Sequence, residues 1–200
     1  MPLIVFEGID GCGKSTQCRL LRQRLDAAGH QHHFHREPGG TALGERLREI
    51  LLDPATQAGA RAEVFGYQMA RAQLVDECLR PQLASGAIVL LDRFYHSTLA
   101  YQGYGLGLDP ERIGAAVALA CDDLRPDLAI YLRVPLERCL ERRGTGDPDR
   151  IEARGQGYLQ RVADGYEALI GYDNLVAVDG DASAEQVAET IWTLVAPLLA

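Results

Sequence analysis

The sequence has little lysine, no paired cysteine motif and no long apolar run. Its five cysteines are odd in number and show no C-x-x-C spacing, which argues against a disulfide framework and indicates reduced thiols. No segment approaches the roughly 18 consecutive apolar residues of a membrane-spanning helix. A net charge of −8 opposes general binding to a nucleic-acid backbone. We therefore expect a cytoplasmic protein that binds neither membranes nor nucleic acids.

Lysine occurs once among the twenty lysine and arginine residues, as Lys14. It stands in residues 8–15, Gly-Ile-Asp-Gly-Cys-Gly-Lys-Ser, which match the phosphate-loop pattern G-x-x-x-x-G-K-[ST]. A compact ammonium on a flexible stem fits inside a ring of backbone amides, whereas a planar guanidinium needs more room. The pattern therefore predicts a phosphate site at which arginine cannot replace lysine.

The flanking residues supply the structural context that this motif requires. An apolar run, Leu3 to Phe6, precedes the loop, and a helical pattern follows it from Thr16. The glycines allow a positive φ, so that amide groups and the helix N-terminus converge on an anion. The residues predicted to bind ATP are Gly8, Ile9, Asp10, Gly11, Cys12, Gly13, Lys14, Ser15 and Thr16.

Short apolar runs alternate with longer helical patterns along the whole chain, which is typical of an α/β fold. The predicted strands are Leu3 to Phe6, His33 to His35, Ile88 to Leu91, Leu128 to Leu132 and Leu175 to Val178. The predicted helices are 15–28, 43–52, 61–83, 110–120, 136–142, 151–170 and 184–199. We expect one domain, residues 1–200, with a five-stranded parallel sheet flanked by helices on both faces.

Chemically informative residues follow the predicted strands, where open α/β sheets bind their ligands. They are the phosphate loop, Arg36 to Thr41, Asp92 to Phe94 and the arginine-rich stretch Arg142 to Arg150. One edge of the sheet would thus hold a phosphate cradle, a carboxylate suited to a metal and several guanidinium groups. This combination indicates phosphoryl transfer between two anionic substrates.

These stretches resemble the thymidylate kinases, which phosphorylate dTMP with ATP, over nearly the whole chain. Four blocks carry the resemblance: residues 7–16, residues 36–41, Asp92-Arg93-Phe94 with Ser97 and residues 100–103, and residues 149–152. The resemblance implies the P-loop kinase fold, a mobile lid at about 142–150, ATP and dTMP as substrates, Mg²⁺ as cofactor and a homodimer. Alanine-rich helical faces such as Ala115 to Ala120 could pack closely, but the sequence identifies no interface.

The resemblance also implies roles for individual residues. The catalytic groups would be Lys14, Asp10, Arg93, Arg143 and Arg150, and the metal would be held by Ser15 and Asp92. The dTMP-binding residues would be Asp10, Arg36, Tyr67, Arg71, Arg93, Ser97, Thr98, Tyr101 and Gln102. Asp10 is interpreted as a positioning group, because the acceptor phosphate has a second pKa of about 6 and needs no strong base.

Two assignments stay open at this point. The family usually has phenylalanine where this chain has Tyr67, so either Tyr67 or Phe65 would stack on the base. Cys12 gives the loop no guanidinium, which implies the bacterial subtype with its catalytic arginine in the lid. The resemblance does not choose among Arg142, Arg143 and Arg150.

Two other functions compete with this interpretation. A different nucleoside or nucleotide kinase on the same fold would differ in its acceptor, and residues 36–41 and 92–94 favour a pyrimidine deoxynucleotide. A regulatory GTPase usually carries N-K-x-D for guanine. The chain has one asparagine, Asn174, and leucine follows it, which argues against a GTPase.

Overall fold

A computed structural model of the chain describes residues 1–144 and 149–199. Its centre is a five-stranded, all-parallel sheet in the order β2-β3-β1-β4-β5. The strands are β1 (Leu3–Glu7), β2 (His32–Arg36), β3 (Ile88–Asp92), β4 (Leu128–Arg133) and β5 (Leu175–Asp179). The predicted parallel sheet of five strands is confirmed.

Helices cover both faces of the sheet. They are α1 (Lys14–Ala27), α2 (Ala42–Leu52), α3 (Ala60–Leu74), α4 (Arg80–Ala84), α5 (Tyr95–Thr98), α6 (Pro110–Cys121), α7 (Leu136–Arg143), α8 (Gln156–Ala168) and α9 (Ala184–Val195). A π-helical turn, Val75–Leu79, joins α3 to α4, and a π-helical segment, Leu99–Gly105, continues α5. Among the described residues, no helix is both long enough and apolar enough to cross a membrane.

The sequence of each strand reflects its place in the sheet. The central strand β1 is buried along its whole length and reads as an almost continuous apolar run, as expected for a parallel strand covered on both faces. The edge strand β2 carries three histidines and is only half-buried. This exposure explains why its apolar signal in the sequence is weak.

Two helical regions differ from the sequence prediction. The predicted helix 151–170 is interrupted at Gly155, whose φ of 84° lies in the left-handed region. A 3₁₀ turn, Glu152–Arg154, precedes this break. The helical segment from Tyr95 to Gly105 was not predicted, because its aromatic, β-branched and glycine residues favour helix weakly. Burial of most of these residues stabilises the helix instead.

The sheet topology brings three post-strand segments together. Strand β3 lies between β2 and β1, and Asp92 is in register with both Arg36 and Phe6. Beyond the last paired residues, the Arg93 amide donates to the Phe6 carbonyl (2.9 Å) and the Glu37 amide donates to the Asp92 carbonyl (2.9 Å). The residues that follow β1, β2 and β3 therefore start side by side.

Candidate active site

The phosphate loop connects β1 to α1 in a conformation that needs glycine. Gly8, Gly11 and Gly13 have φ values of 135°, 88° and 104°. A Cβ atom at Gly11 would lie 2.1 Å from the carbonyl oxygen of Cys139 in α7. Gly13 is the residue directly before α1, so the loop delivers its amides to the N-terminus of that helix. This arrangement is suited to binding an anion.

Lys14 folds back into the loop. Its side chain is 6% exposed, and Nζ donates to the carbonyl oxygens of Gly8 (2.9 Å) and Ile9 (3.2 Å). Nζ also lies 3.3 Å from Oδ1 of Asp10. Together with the loop, Lys14 lines a cavity of about 620 Å³, which we call the phosphate cavity.

Asp10 and Arg93 form an ion pair at one end of this cavity. Nη2 of Arg93 donates to Oδ1 of Asp10 at 2.6 Å and to the Tyr101 hydroxyl at 3.2 Å. Partial removal from water acts to raise the pKa of Asp10, but the charges of Arg93 and Lys14 outweigh it and hold that pKa below its usual value. Asp10 is therefore an anion that balances two cations.

Glu7 anchors the segment that carries Arg93. Its side chain is fully buried, and Oε1 accepts the backbone amides of Phe94 (2.8 Å) and Ser97 (3.2 Å). Oε2 accepts the hydroxyls of Ser97 (2.6 Å) and Tyr166 (2.9 Å). The Ser97 hydroxyl in turn accepts from Arg93 at 3.1 Å. Glu7 was not assigned a role from sequence, yet its hydrogen bonds fix the position of the segment that carries Arg93.

A second cavity, the acceptor cleft, opens beside the first. Residues from α2, α3, the α5 region and the end of the predicted lid line it: Asp10, Glu37, Pro38, Arg48, Leu52, Tyr67, Arg71, Arg93, Phe94, Ser97, Thr98, Tyr101, Gln102, Asp149 and Ile151. Its volume is about 100 Å³. Small-molecule pockets usually hold at least about 300 Å³, so a nucleotide fits only after side chains at the wall move.

Arg71 is a buried and tightly held side chain of the cleft. It is 2% exposed, and Nε and Nη2 donate to Oε2 of Glu37 at 2.8 and 2.6 Å. Nη1 donates to Oε1 of Gln68 (2.8 Å) and to Oγ1 of Thr98 (3.0 Å). Its guanidinium is therefore fixed in one orientation at the cleft wall.

The two candidate stacking residues of α3 lie in different places. Tyr67 lines the acceptor cleft, one helical turn before Arg71. Phe65 is 67% exposed and lies outside the described lining of the cleft. The geometry thus favours Tyr67 as the aromatic residue beside a bound base.

Arginines from β2 and α2 stand on the rim between the two cavities. Arg36 is 53% exposed and forms one ion pair with Glu45, at 3.3 Å. Arg48, which was not predicted, lines both cavities and donates to the Pro38 carbonyl at 3.0 Å. Arg48 lies on the face of α2 that covers the cleft. An arginine among apolar residues of that helix was the sequence signal that could have identified it.

Asp92 and Ser15 both line the phosphate cavity. Oδ1 of Asp92 is buried without a hydrogen-bond partner among the described residues, and burial raises its pKa. In that same part of the chain, no group of three or more histidine, cysteine, aspartate or glutamate side chains forms a metal cage. An orphaned carboxylate oxygen beside a hydroxyl fits Mg²⁺, which retains waters and phosphate oxygens as ligands.

The lid arginines differ in their surroundings. Arg142 lines the phosphate cavity and donates to the Gly180 carbonyl at 3.1 Å. Arg143 pairs with Glu152 at 3.1 Å, and Arg150 is buried against Glu63. Within the described ranges, neither Arg143 nor Arg150 lines either cavity. Residues 145–148 of the predicted lid lie outside the described residues.

Comparison with known proteins agrees with this site. The sequence model of the family "Thymidylate kinase" matches residues 6–191. The chain belongs to the thymidylate kinase family. Thymidylate kinase of Synechococcus sp. (strain CC9902) is 46% identical over 195 residues, 94% of this chain and 93% of the relative. Thymidylate kinase of Thermosipho africanus (strain TCF52B) is 41% identical over 193 residues, covering 96% of each.

A solved structure supports the same fold. The crystal structure of thymidylate kinase from Ehrlichia chaffeensis superposes with a TM-score of 0.80 at 28% sequence identity, and the alignment covers 98% of both chains. The expected P-loop kinase fold and the expected family, a family of dTMP kinases, are thus confirmed.

The thymidylate kinase fold brings most of the predicted site residues of this chain together. Lys14, Ser15, Arg36 and Asp92 line the phosphate cavity, and Asp10 and Arg93 line both cavities. The predicted base and sugar contacts line the acceptor cleft: Tyr67, Arg71, Ser97, Thr98, Tyr101 and Gln102. Their roles in binding and catalysis remain predictions.

Proposed function

We propose that the chain is a dTMP kinase that transfers the γ-phosphoryl group of ATP to dTMP, giving dTDP and ADP. The observation that carries this proposal is the meeting of the two cavities. Asp10, Glu37, Arg48 and Arg93 line both of them. A triphosphate in the phosphate loop and a monophosphate in the acceptor cleft would therefore face each other between arginines.

The acceptor cleft has groups suited to a pyrimidine deoxynucleotide. Tyr67 would stack on the base, and Arg71 would donate to a base carbonyl from its fixed orientation. Ser97, Thr98 and Gln102 would supply further polar contacts at the base edge. Tyr101, held by Arg93 at the floor of the cleft, would crowd a 2′-hydroxyl and favour the deoxy sugar.

The phosphate cavity would hold ATP with its magnesium ion. Loop amides and Lys14 would bind the β- and γ-phosphates. The Lys14 ammonium would then donate to phosphate oxygens in place of the carbonyl oxygens of Gly8 and Ile9. Ser15 and Asp92 would hold Mg²⁺, which when bound neutralises charge on the phosphates. Oδ1 of Asp92 is buried and has no hydrogen-bond partner in the described ranges, so a cation would relieve the cost of its desolvation.

Catalysis in this site would rest on charge and position. The acceptor phosphate is already ionised at neutral pH, because its second pKa is about 6. Arg36, Arg48 and Arg93 would screen the repulsion between the two substrates. Asp10 would position Arg93 and the acceptor without acting as a base.

We also propose that the transferred phosphoryl group is stabilised by an arginine of the lid, as in the bacterial subtype. Cys12 is buried, and burial raises its thiol pKa, so the loop side chain at this position stays neutral. Arg142 is nearest by position, since it already lines the phosphate cavity. Among the described residues Arg143 pairs with Glu152 alone, in a partly exposed ion pair worth about 1 kcal/mol or less, so changing partners costs little. Moving Arg150 would break several buried contacts.

Assembly is proposed on similar grounds. Residues 1–200 would act as one domain, because both cavities open at the same edge of one sheet, and two copies would form a homodimer. Apolar side chains are exposed on two helices that pack together, namely Phe65 (67%) and Met69 (53%) on α3 and Leu119 (86%) on α6. Light scattering of the purified chain measures this oligomeric state.

The experiment that tests the function is an acceptor comparison. ADP release from ATP and Mg²⁺ is measured with dTMP, dUMP, UMP, dCMP, dGMP or thymidine, each offered separately. We expect strong turnover with dTMP and little with UMP or thymidine. Preference for another monophosphate would retain phosphoryl transfer and overturn the assignment of the acceptor cleft.

A further inference from the structure

A buried charge cluster lies behind the acceptor cleft, centred on Glu63 of α3. Its side chain is fully buried. Oε2 of Glu63 lies 2.7 Å from Arg150 and 2.5 Å from Arg154, and Oε1 accepts from Gln102 at 2.9 Å. Burial acts to raise the pKa of Glu63, but hydrogen bonds from Arg154 and Gln102 outweigh it and hold the pKa below its usual value. Glu63 is thus a buried anion with two cationic partners.

Arg150 ties this cluster to the end of α2. Its Nε donates to the carbonyl of Leu51 at 2.7 Å, and its backbone amide donates to the carbonyl of Leu52 at 3.1 Å. The residues on either side of it, Asp149 and Ile151, line the acceptor cleft. The position of Arg150 therefore determines where this part of the cleft wall stands.

The cluster reaches the opposite wall through two connections. Gln102, which lines the cleft, donates its side-chain amide to Glu63. Arg154 lies over the ring of Tyr158 at 5.0 Å, and the Tyr158 hydroxyl donates to the carbonyl of Tyr101 at 3.2 Å. One carboxylate thus links the segment around Arg150 to the part of the cleft wall that carries Tyr101 and Gln102.

We propose that Glu63 is a positioning residue for the acceptor nucleotide, an inference that rests on the proposed dTMP kinase function. Among the described residues, Glu63 does not line the phosphate cavity, whereas its partner Gln102 lines the acceptor cleft, so its effect should fall on one substrate. Removing its charge leaves Arg150 and Arg154 without their shared anion and weakens the hydrogen bond from Gln102. Both cleft walls then shift, while the ATP side stays in place.

The test is a steady-state comparison of Glu63→Gln with the unchanged protein, varying dTMP and ATP in turn. We expect KM for dTMP to rise about tenfold, with KM for ATP changed less than about twofold. Glu167→Gln is the matched control, because Glu167 also pairs with an arginine, Arg133, but lies on α8 away from the acceptor cleft. It should leave both constants unchanged. Equal KM values for dTMP in Glu63→Gln and in the unchanged protein would overturn the inference.

A purely structural role would give a different pattern. Loss of folded protein would lower the apparent kcat without separating KM for dTMP from KM for ATP. That result also overturns the inference. If Glu63→Gln does not fold, Arg154→Gln decides the question, since Arg154 is 21% exposed and its loss keeps the Glu63–Arg150 pair. We expect a rise of about threefold in KM for dTMP from this variant. If the unchanged protein does not phosphorylate dTMP, the proposed function is wrong, and this inference is wrong with it.

Discussion

The acceptor cleft and the rim of the phosphate cavity use arginine in opposite ways. Arg71 in the cleft is 2% exposed and donates to three side chains. Arg36 on the rim is 53% exposed and, within the described part of the chain, has a single ion pair at 3.3 Å. Breaking a buried pair costs about 3–5 kcal/mol, whereas an exposed pair contributes about 1 kcal/mol or less. The Arg71 guanidinium is therefore preorganised at the cleft wall, whereas Arg36 on the rim is free to exchange partners.

The difference follows from what each region would bind. A nucleobase is neutral, so its recognition depends on donors and rings that already stand in the correct place. Phosphates bring their own charge, which attracts loosely held cations from weak partners. Asp10 lines the phosphate cavity, where its carboxylate balances the charges of Arg93 and Lys14.

The largest effect is expected on the phosphate side, at Lys14. Replacing Lys14 with alanine should lower kcat by about 10³-fold or more, because the charge that meets the β- and γ-phosphates is lost. Single-turnover rates with dTMP measure this variant. Near-normal turnover in Lys14→Ala would contradict the assignment of the loop.

Arg71→Ala tests the preorganised region. It leaves Glu37 buried without its cation, so unfolding in urea should show a loss of about 3–5 kcal/mol. KM for dTMP should rise about 100-fold, with little change in KM for ATP, and discrimination between dTMP and other monophosphates should weaken. A variant with full stability and unaltered acceptor choice would show that the two regions do not differ as described.

Arg36→Ala is the counterpart on the rim. We expect KM for dTMP to rise about tenfold, the value of one charge-assisted hydrogen bond, with stability changed by less than about 0.5 kcal/mol. Steady-state kinetics and urea unfolding of the same preparation measure both quantities. Large destabilisation would mean that Arg36 holds the fold as Arg71 does, and the comparison would fail.

The secondary structure could be predicted where an element has a simple pattern of buried residues. Each strand was predicted to within one residue at either end. Buried parallel strands such as β1 appear as short apolar runs, whereas the half-buried edge strand β2 gave only a weak signal. The helix break at Gly155 was missed, since a glycine in an otherwise periodic pattern does not show its φ. The Tyr95 to Gly105 segment was missed because tertiary burial overrides its weak helix propensity.

The site was predictable at residues that belong to motifs and unpredictable at their supports. Lys14 and Arg93 stand in recognisable blocks, Arg71 was assigned by the family resemblance on a helix, and the fold places each of them at a cavity. Glu7 and Glu63 act through partners that are distant in sequence, 90 residues away for Ser97 and 91 for Arg154. A local signal existed for Glu63 alone, because it lies one turn before Tyr67 on the same face of α3.

The smallest effect concerns the acid stability that Asp10 supplies. Its pKa is lower in the folded chain than the ordinary value of 3.8, so its contribution to stability is present above about pH 4 and is lost as the pH falls through the folded pKa. The side chain is 49% exposed, which limits the contribution to less than about 1 kcal/mol. Asp10→Asn should therefore lower Tm at pH 7 by no more than about 4 °C and lose less stability than the unchanged protein below pH 4. Thermal unfolding between pH 2.5 and 7 measures this, and parallel Tm profiles would show that Asp10 does not balance the charges of Lys14 and Arg93.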